Sequence, residues 1–132
     1  MICFVDSAAH LAILDPRDQH HGRTADFVRS LENPRLITST FVLSEVVTRG
    51  TRLVGAWKTS SYLRMVLSNP AYRIVEIGLE VLAESLDALV KYADQKLSFT
   101  DCTSVLIMRG TRIKTIFTFD EAFRRLGFKM VP

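Results

Sequence analysis

Thr115-Ile116-Phe117-Thr118-Phe119-Asp120 and Ile2-Cys3-Phe4-Val5-Asp6 are two apolar runs, far apart along the chain, that each close on a carboxylate. Runs this brief, rich in β-branched and aromatic residues, are too short for helices and read as buried strands. Leu36-Ile37-Thr38 and Tyr72 to Ile77 carry the same signature, and Phe128 to Val131 follows Gly127 as a last strand. The stretches between these strands have helical spacing. Strand and helix alternating in this way predict a three-layer α/β/α sandwich with a mostly parallel central sheet.

The intervening helices have readable ends. Ala8 to Leu14 stops at Asp15-Pro16, and Gln19 to Glu32 places Ala25, Phe27, Val28 and Leu31 on one face before Asn33-Pro34. Ser39 or Thr40 caps a helix through Phe41, Val42, Val46 and Val47 that is predicted to stop near Gly50. An amphipathic segment from about Leu53 to Leu67, with Trp57, Tyr62 and Met65, ends at Asn69-Pro70. Leu79, Leu82, Leu86, Leu89 and Ala93 form an apolar stripe, with Glu80, Glu84 and Asp87 as its solvated face. Ser98-Phe99-Thr100-Asp101 has the form of a capping box and opens a helix to about Thr111. Glu121 to Leu126 is a short helix.

The chain has 132 residues, nearly half of them apolar, enough for one folded domain over residues 1–132. A formal charge of +3 and a pI near 9.1 permit nucleic acid as a partner without requiring it. Cys3 and Cys102 make no disulfide framework and no zinc-ligand spacing. No stretch has the length of a membrane span or the pattern of a signal peptide, so a soluble, cytoplasmic protein is expected.

Four acids stand out by position. Asp6 and Asp120 close strands, Glu45 lies just inside the helix after the second strand, and Asp101 lies at the start of the helix leading into the fourth. In a parallel sheet, strand ends and the starts of these helices share one edge, where open α/β folds bind ligands. Each acid also has a local reading: Asp6 and Asp120 can cap the helices that follow, and Asp101 is the acid of the capping box. Glu45 can pair with Arg49, a contact worth about 0.3–0.5 kcal/mol. Convergence changes the energetics. Two carboxylates about 5 Å apart repel by roughly 3 kcal/mol at an effective dielectric of 20. Four together must take up protons or hold a cation, and an oxygen-only set selects Mg²⁺ or Mn²⁺. Glu76 and Asp94 are reserve ligands. The histidines, His10, His20 and His21, suggest no catalytic base.

Phe4-Val5-Asp6-Ser7, Ser44-Glu45-Val46, Leu97-Ser98-Phe99-Thr100-Asp101 and Thr118-Phe119-Asp120-Glu121-Ala122-Phe123, followed by Leu126-Gly127-Phe128, occur in this order. Taken together they resemble the PIN-domain nucleases, in particular the VapC-like toxins of bacterial and archaeal toxin–antitoxin pairs. The resemblance spans the whole chain. It implies metal-dependent hydrolysis of RNA, with Asp6, Glu45, Asp101 and Asp120 as catalytic and metal-holding residues and Thr118 orienting Asp120 or a water behind them. It further implies Mg²⁺ or Mn²⁺ as cofactor, RNA as substrate, a small antitoxin as partner and a homodimer. Arg17, Arg23, Arg49, Arg52, Lys96, Arg124 and Arg125 are placed to rim the acidic cleft.

Two other readings compete. One is a PIN-like nuclease of RNA maturation or decay that works without an antitoxin. The other is a receiver-like Mg²⁺-binding signalling domain, which would normally pair Asp6 with a neighbouring acid and carry a Lys after a late strand. Here Asp6 has no acidic neighbour, and Asp120 stands where that Lys would be.

Overall fold

The computed structural model describes Met1–Pro132. Five strands, β1 (Ile2–Val5), β2 (Arg35–Ser39), β3 (Tyr72–Val75), β4 (Thr115–Phe117) and β5 (Lys129–Val131), form one sheet in the order β3-β2-β1-β4-β5. Every pairing is parallel. The helices are α1 (Ser7–Leu14), α2 (His21–Ser30), α3 (Thr40–Val54), α4 (Ala56–Ser68), α5 (Leu79–Lys91), α6 (Phe99–Thr111) and the single-turn α7 (Ala122–Arg125). None is long and apolar enough to cross a membrane. The three-layer α/β/α architecture is therefore as the alternation predicts, with a sheet that is wholly rather than mostly parallel.

Strand alternation divides the core. Cys3, Val5, Leu36, Phe117 and Val131 pack with Ala9 of α1. Phe4, Ile37 and Ile116 join a larger cluster with Val42 and Val46 of α3, Val105 and Met108 of α6, and Phe123. Both faces of the central strands are covered, which is why β1 reads as a continuous apolar run. The strand order reverses at β1: β2 and β3 extend one way, β4 and β5 the other. The crevice at the carboxyl ends of β1 and β4 is thus the topological switch point.

Five local expectations differ. The fourth strand ends at Phe117 rather than Phe119, because the chain turns so that Thr118 and Asp120 can bond at the sheet edge. The third strand ends at Val75, short of Ile77, whose N–H is taken by the Thr40 hydroxyl at 3.1 Å. Helix α3 does not stop at Gly50 but runs to Val54 and ends at Gly55, whose φ of 90° only glycine adopts easily. The amphipathic segment accordingly begins at Ala56, not Leu53. Lastly, the leucine stripe of α5 does not enter the core: only Ser85 and Ala88 of this helix are buried, while Leu79 is 85% and Val90 77% exposed. Small residues let α5 lie close on α6 and leave its large residues outward.

Gly50 stays helical for a packing reason. A Cβ built there would stand 2.9 Å from Leu14 Cδ2 and 3.0 Å from both side-chain branches of Thr59. Gly50→Ala would gain about 1 kcal/mol of helix propensity but lose roughly 1–3 kcal/mol to overpacking. A net loss of stability is expected in urea unfolding, and a larger one for Gly50→Val; an Ala variant more stable than the parent would contradict the close α1–α3–α4 contact.

Candidate active site

Asp6 follows β1 and is 3% exposed. It does not cap α1 through its side chain. Instead Asp6 Oδ2 accepts the Thr118 hydroxyl at 2.9 Å across the β1–β4 seam, and Oδ1 is buried with no partner. Burial raises Asp6 to about 7, with the Asp101 charge the next cause and Glu45 adding to it; the Thr118 bond pulls the other way. Thr118 also accepts the Asp120 N–H at 3.2 Å, so one hydroxyl joins the two strand-end acids.

Asp101 and Asp120 take up the local roles available to them. The Asp101 carboxylate accepts the Ser98 N–H at 3.0 Å while its own N–H donates to Ser98 Oγ at 3.0 Å, completing the capping box of α6. Burial still raises its pKa, and the Asp120 and Glu45 charges add to this against the Ser98 bonds. Asp120 Oδ1 accepts the Ala122 N–H at 3.0 Å at the start of α7. Glu45 projects from α3, and its Oε2 is buried without a partner. The expected pairing with Arg49 is loose, 4.0 Å from Oε1 at the outer limit of an ion pair.

The edge therefore brings the four carboxylates within reach of one another's charge. The other ion pairs lie elsewhere: Arg17–Asp15, Arg29–Asp26 and Arg124–Glu121. Of the rim cations, Arg23 donates to the Pro132 carbonyl and Arg125 to Gln95. No protein cation neutralises Asp6, Asp101 or Asp120. As the side chains stand, no three close into a finished coordination cage, and capping bonds tie Asp101 and Asp120 to their helix starts. Two orphaned carboxylate oxygens beside two further acids nonetheless suit a hard divalent cation, which would satisfy oxygens that the protein leaves unpaired.

A buried relay that sequence reading missed fixes the strand ends behind these acids. The Tyr62 hydroxyl donates to His10 Nδ1 at 2.8 Å, and His10 Nε2 lies 3.3 Å from Thr38 Oγ1. Thr38 spends its only hydroxyl proton on the Val5 carbonyl at 3.0 Å. Thr38 must then accept from His10, which carries its proton on Nε2. Burial pushes His10 down to about 3 and Tyr62 well above its ordinary range, so both stay neutral. The relay joins Val5, just before Asp6, to Thr38, just before Ser39, whose hydroxyl caps the helix of Glu45. In sequence, His10 stands among apolar residues in the short Ala8 to Leu14 helix, and only its partners reveal the bond chain. His20 and His21 are not free in solvent either: His20 stacks on Phe119 at 3.9 Å, and His21 Nδ1 bonds the Ala12 carbonyl at 2.7 Å.

The folded state holds the Asp6 proton more tightly than the unfolded state, so this group favours folding at low pH and that contribution is lost as pH rises from about 4 to about 7. His10, held below its ordinary value by burial, contributes the opposite slope over much of this range, so the Asp6 contribution is read as the difference between the parent and Asp6→Asn in thermal unfolding with chelator. Relative to the parent, Asp6→Asn should gain stability as pH rises through the window and melt higher near about pH 7.5. A less stable Asn variant there would mean that Asp6 is not strained by its neighbours.

The PIN domain family model matches residues 3–129. Among solved structures, VapC20 of Mycobacterium tuberculosis, a toxin that cleaves the sarcin-ricin loop, superposes with a TM-score of 0.88 at 26% identity, over 97% of this chain and 96% of that one. FitAcB of Neisseria gonorrhoeae gives 0.69 at 16% identity, covering 100% and 97% of the two chains. VapBC2 of Rickettsia felis, solved with a DNA fragment from its promoter, gives 0.63 at 12% identity over 99% and 98%; these last two share the fold. No curated protein sequence matches. With a family model covering nearly every residue and a VapC toxin sharing both fold and a quarter of its residues, the chain belongs to the PIN-domain family and is VapC-like.

Proposed function

We propose that this protein is a Mg²⁺- or Mn²⁺-dependent endoribonuclease, the toxin of a toxin–antitoxin pair. The observation that carries this reading is Asp6: a carboxylate with one unpartnered oxygen, whose pKa is raised first by burial and then by the charges of Asp101 and Glu45. Membership in the PIN family and the likeness to a VapC toxin that cleaves the sarcin-ricin loop support it. The receiver-like alternative loses its basis with the family match.

Asp6, Glu45, Asp101 and Asp120 would hold the cation, Asp6 from the buried floor and Asp120 from the exposed mouth. A divalent ion there supplies Lewis-acid stabilisation of phosphate charge and acidifies water. The chain's own contribution is placement. Thr118 keeps Asp6 Oδ2 fixed and leaves Oδ1 without a partner. The capping box pins Asp101 at the N-terminus of α6, where the helix dipole also favours an anionic substrate.

Protein partners fit the surface. Trp57 is 84% exposed on α4, with Met65 and Leu67 also outward, and on α5 Leu79, Leu86 and Leu89 of the stripe and the neighbouring Val90 are uncovered. Two large apolar faces on a small chain mark interaction surfaces. They support an antitoxin and a second copy of this chain as partners.

Asp6→Asn and Asp101→Asn should each lower RNA cleavage by a factor on the order of a hundred or more while the fold persists. Purified protein, an end-labelled RNA pool and Mn²⁺ suffice for the assay, and EDTA should stop the reaction reversibly. Turnover that survives either substitution, or chelation, would refute the assigned site.

A further inference from the structure

Phe41, Ser44, Glu45, Thr48 and Arg49 occupy positions i, i+3, i+4, i+7 and i+8 of α3, a single stripe along one helix face. This stripe does not enter the core. It forms one wall of an open cavity of about 510 Å³ whose other wall is Phe99 and Thr100, in the first turn of α6. That volume is in the range of ordinary ligand sites, about 300–1,000 Å³. The cavity abuts the acidic edge: Glu45 is in its wall, and Thr100 immediately precedes Asp101.

The two aromatic rings are the informative part. Phe41 and Phe99 have centroids 6.2 Å apart and a tilt of 46°, and both are only half-buried. They touch but do not cover each other, so ring faces remain open toward a cleft otherwise lined by hydroxyls and charge. Neither belongs to the buried clusters of the core. Arg49 stands two turns further along α3 than Phe41, about 12 Å away by helix rise. Its side chain is 53% exposed and held only by the 4.0 Å contact with Glu45.

We infer that this cleft between α3 and the start of α6 is a subsite for an unpaired nucleobase, with the base against Phe41 and Phe99 and a flanking phosphate at Arg49. Aromatic faces beside a phosphodiester-cleaving site bind bases that are free to leave a stack, whereas a paired base cannot present its face. Arg49 supplies the positive charge that a phosphate next to three or four carboxylates would otherwise lack. The hydroxyl of Ser44, exposed on the same stripe, is placed to meet sugar or base-edge groups. The cleft thus adds a contact to one base and its phosphate beside the acidic edge. This inference rests on the nuclease reading above.

The test is binding rather than cleavage. A 12-nucleotide single-stranded RNA of randomised sequence, fluorescently labelled, is titrated with protein in chelator, alongside a base-paired duplex of the same length. Phe41→Ala and Phe99→Ala should each weaken single-strand binding by roughly ten- to a hundredfold, with duplex binding unchanged. Phe99→Tyr, which keeps a stacking face, should bind as the parent does; Phe99→Leu, which keeps apolar bulk alone, should not. Arg49→Gln should weaken binding and reduce its salt dependence. Mn²⁺ affinity should be the same in the parent and the Phe variants. Folded Phe variants that bind the single strand as tightly as the parent would overturn the subsite while leaving the nuclease reading intact. A parent protein that binds no single-stranded RNA would also overturn the subsite, whereas the nuclease reading is decided by the cleavage assay with Mn²⁺. Should Phe99→Ala fail to fold, Phe41→Ala and Phe99→Leu carry the same decision.

Discussion

The burial of Asp6 among like charges is the constraint on which the rest of the structure turns. Its carboxylate gives one oxygen to Thr118 and leaves the other without a partner in a site already carrying Asp101 and Glu45. A domain selected for stability alone would fill that position with a short apolar or neutral polar residue. The strain is tolerated because the fold around it is over-determined: the central strands of a five-stranded parallel sheet are covered on both faces, and the His10 relay ties the ends of β1 and β2 together. Local strain held by a rigid scaffold is a common mark of a functional site.

Parallel topology explains why capping and acid clustering occur in the same place. The strands all point one way, so their ends and the helix starts that follow them share an edge. Asp101 closes the capping box of α6, and Asp120 accepts the Ala122 N–H. Each acid thereby secures a helix start and adds negative charge to the edge. The carboxylates are pre-positioned by the backbone they cap, which limits how far repulsion can drive them apart.

The sequence made the layer architecture legible because continuous apolar runs at β1 and β4 leave no exposed face, and such strands occur in covered parallel sheets. Asp6, Glu45, Asp101 and Asp120 were legible for the same reason, since strand ends and helix starts are visible as punctuation. Gly50 misled because a helix-breaking residue was being used for close packing, which only the positions of Leu14 and Thr59 reveal. The α5 leucines misled more deeply. Apolar periodicity shows that a face is destined for burial, but not whether this chain or another buries it. His10 was opaque because its meaning lies in Tyr62, Thr38 and Val5, distant in sequence and brought together by three different elements. The Phe41–Phe99 pair was hidden likewise, each residue being unremarkable in its own helix.

The most direct measurement is calorimetric titration of Mn²⁺ into the purified protein near about pH 7, in two buffers of different ionisation enthalpy. Cation binding to carboxylates that still hold a proton must release it. Saturable binding is expected with release of a substantial fraction of one proton, and both the binding and the release should be lost or greatly weakened in Asp6→Asn. A protein that takes up no divalent ion, or takes it up unchanged without the Asp6 carboxylate, would contradict the picture of a charge-strained edge built to hold one.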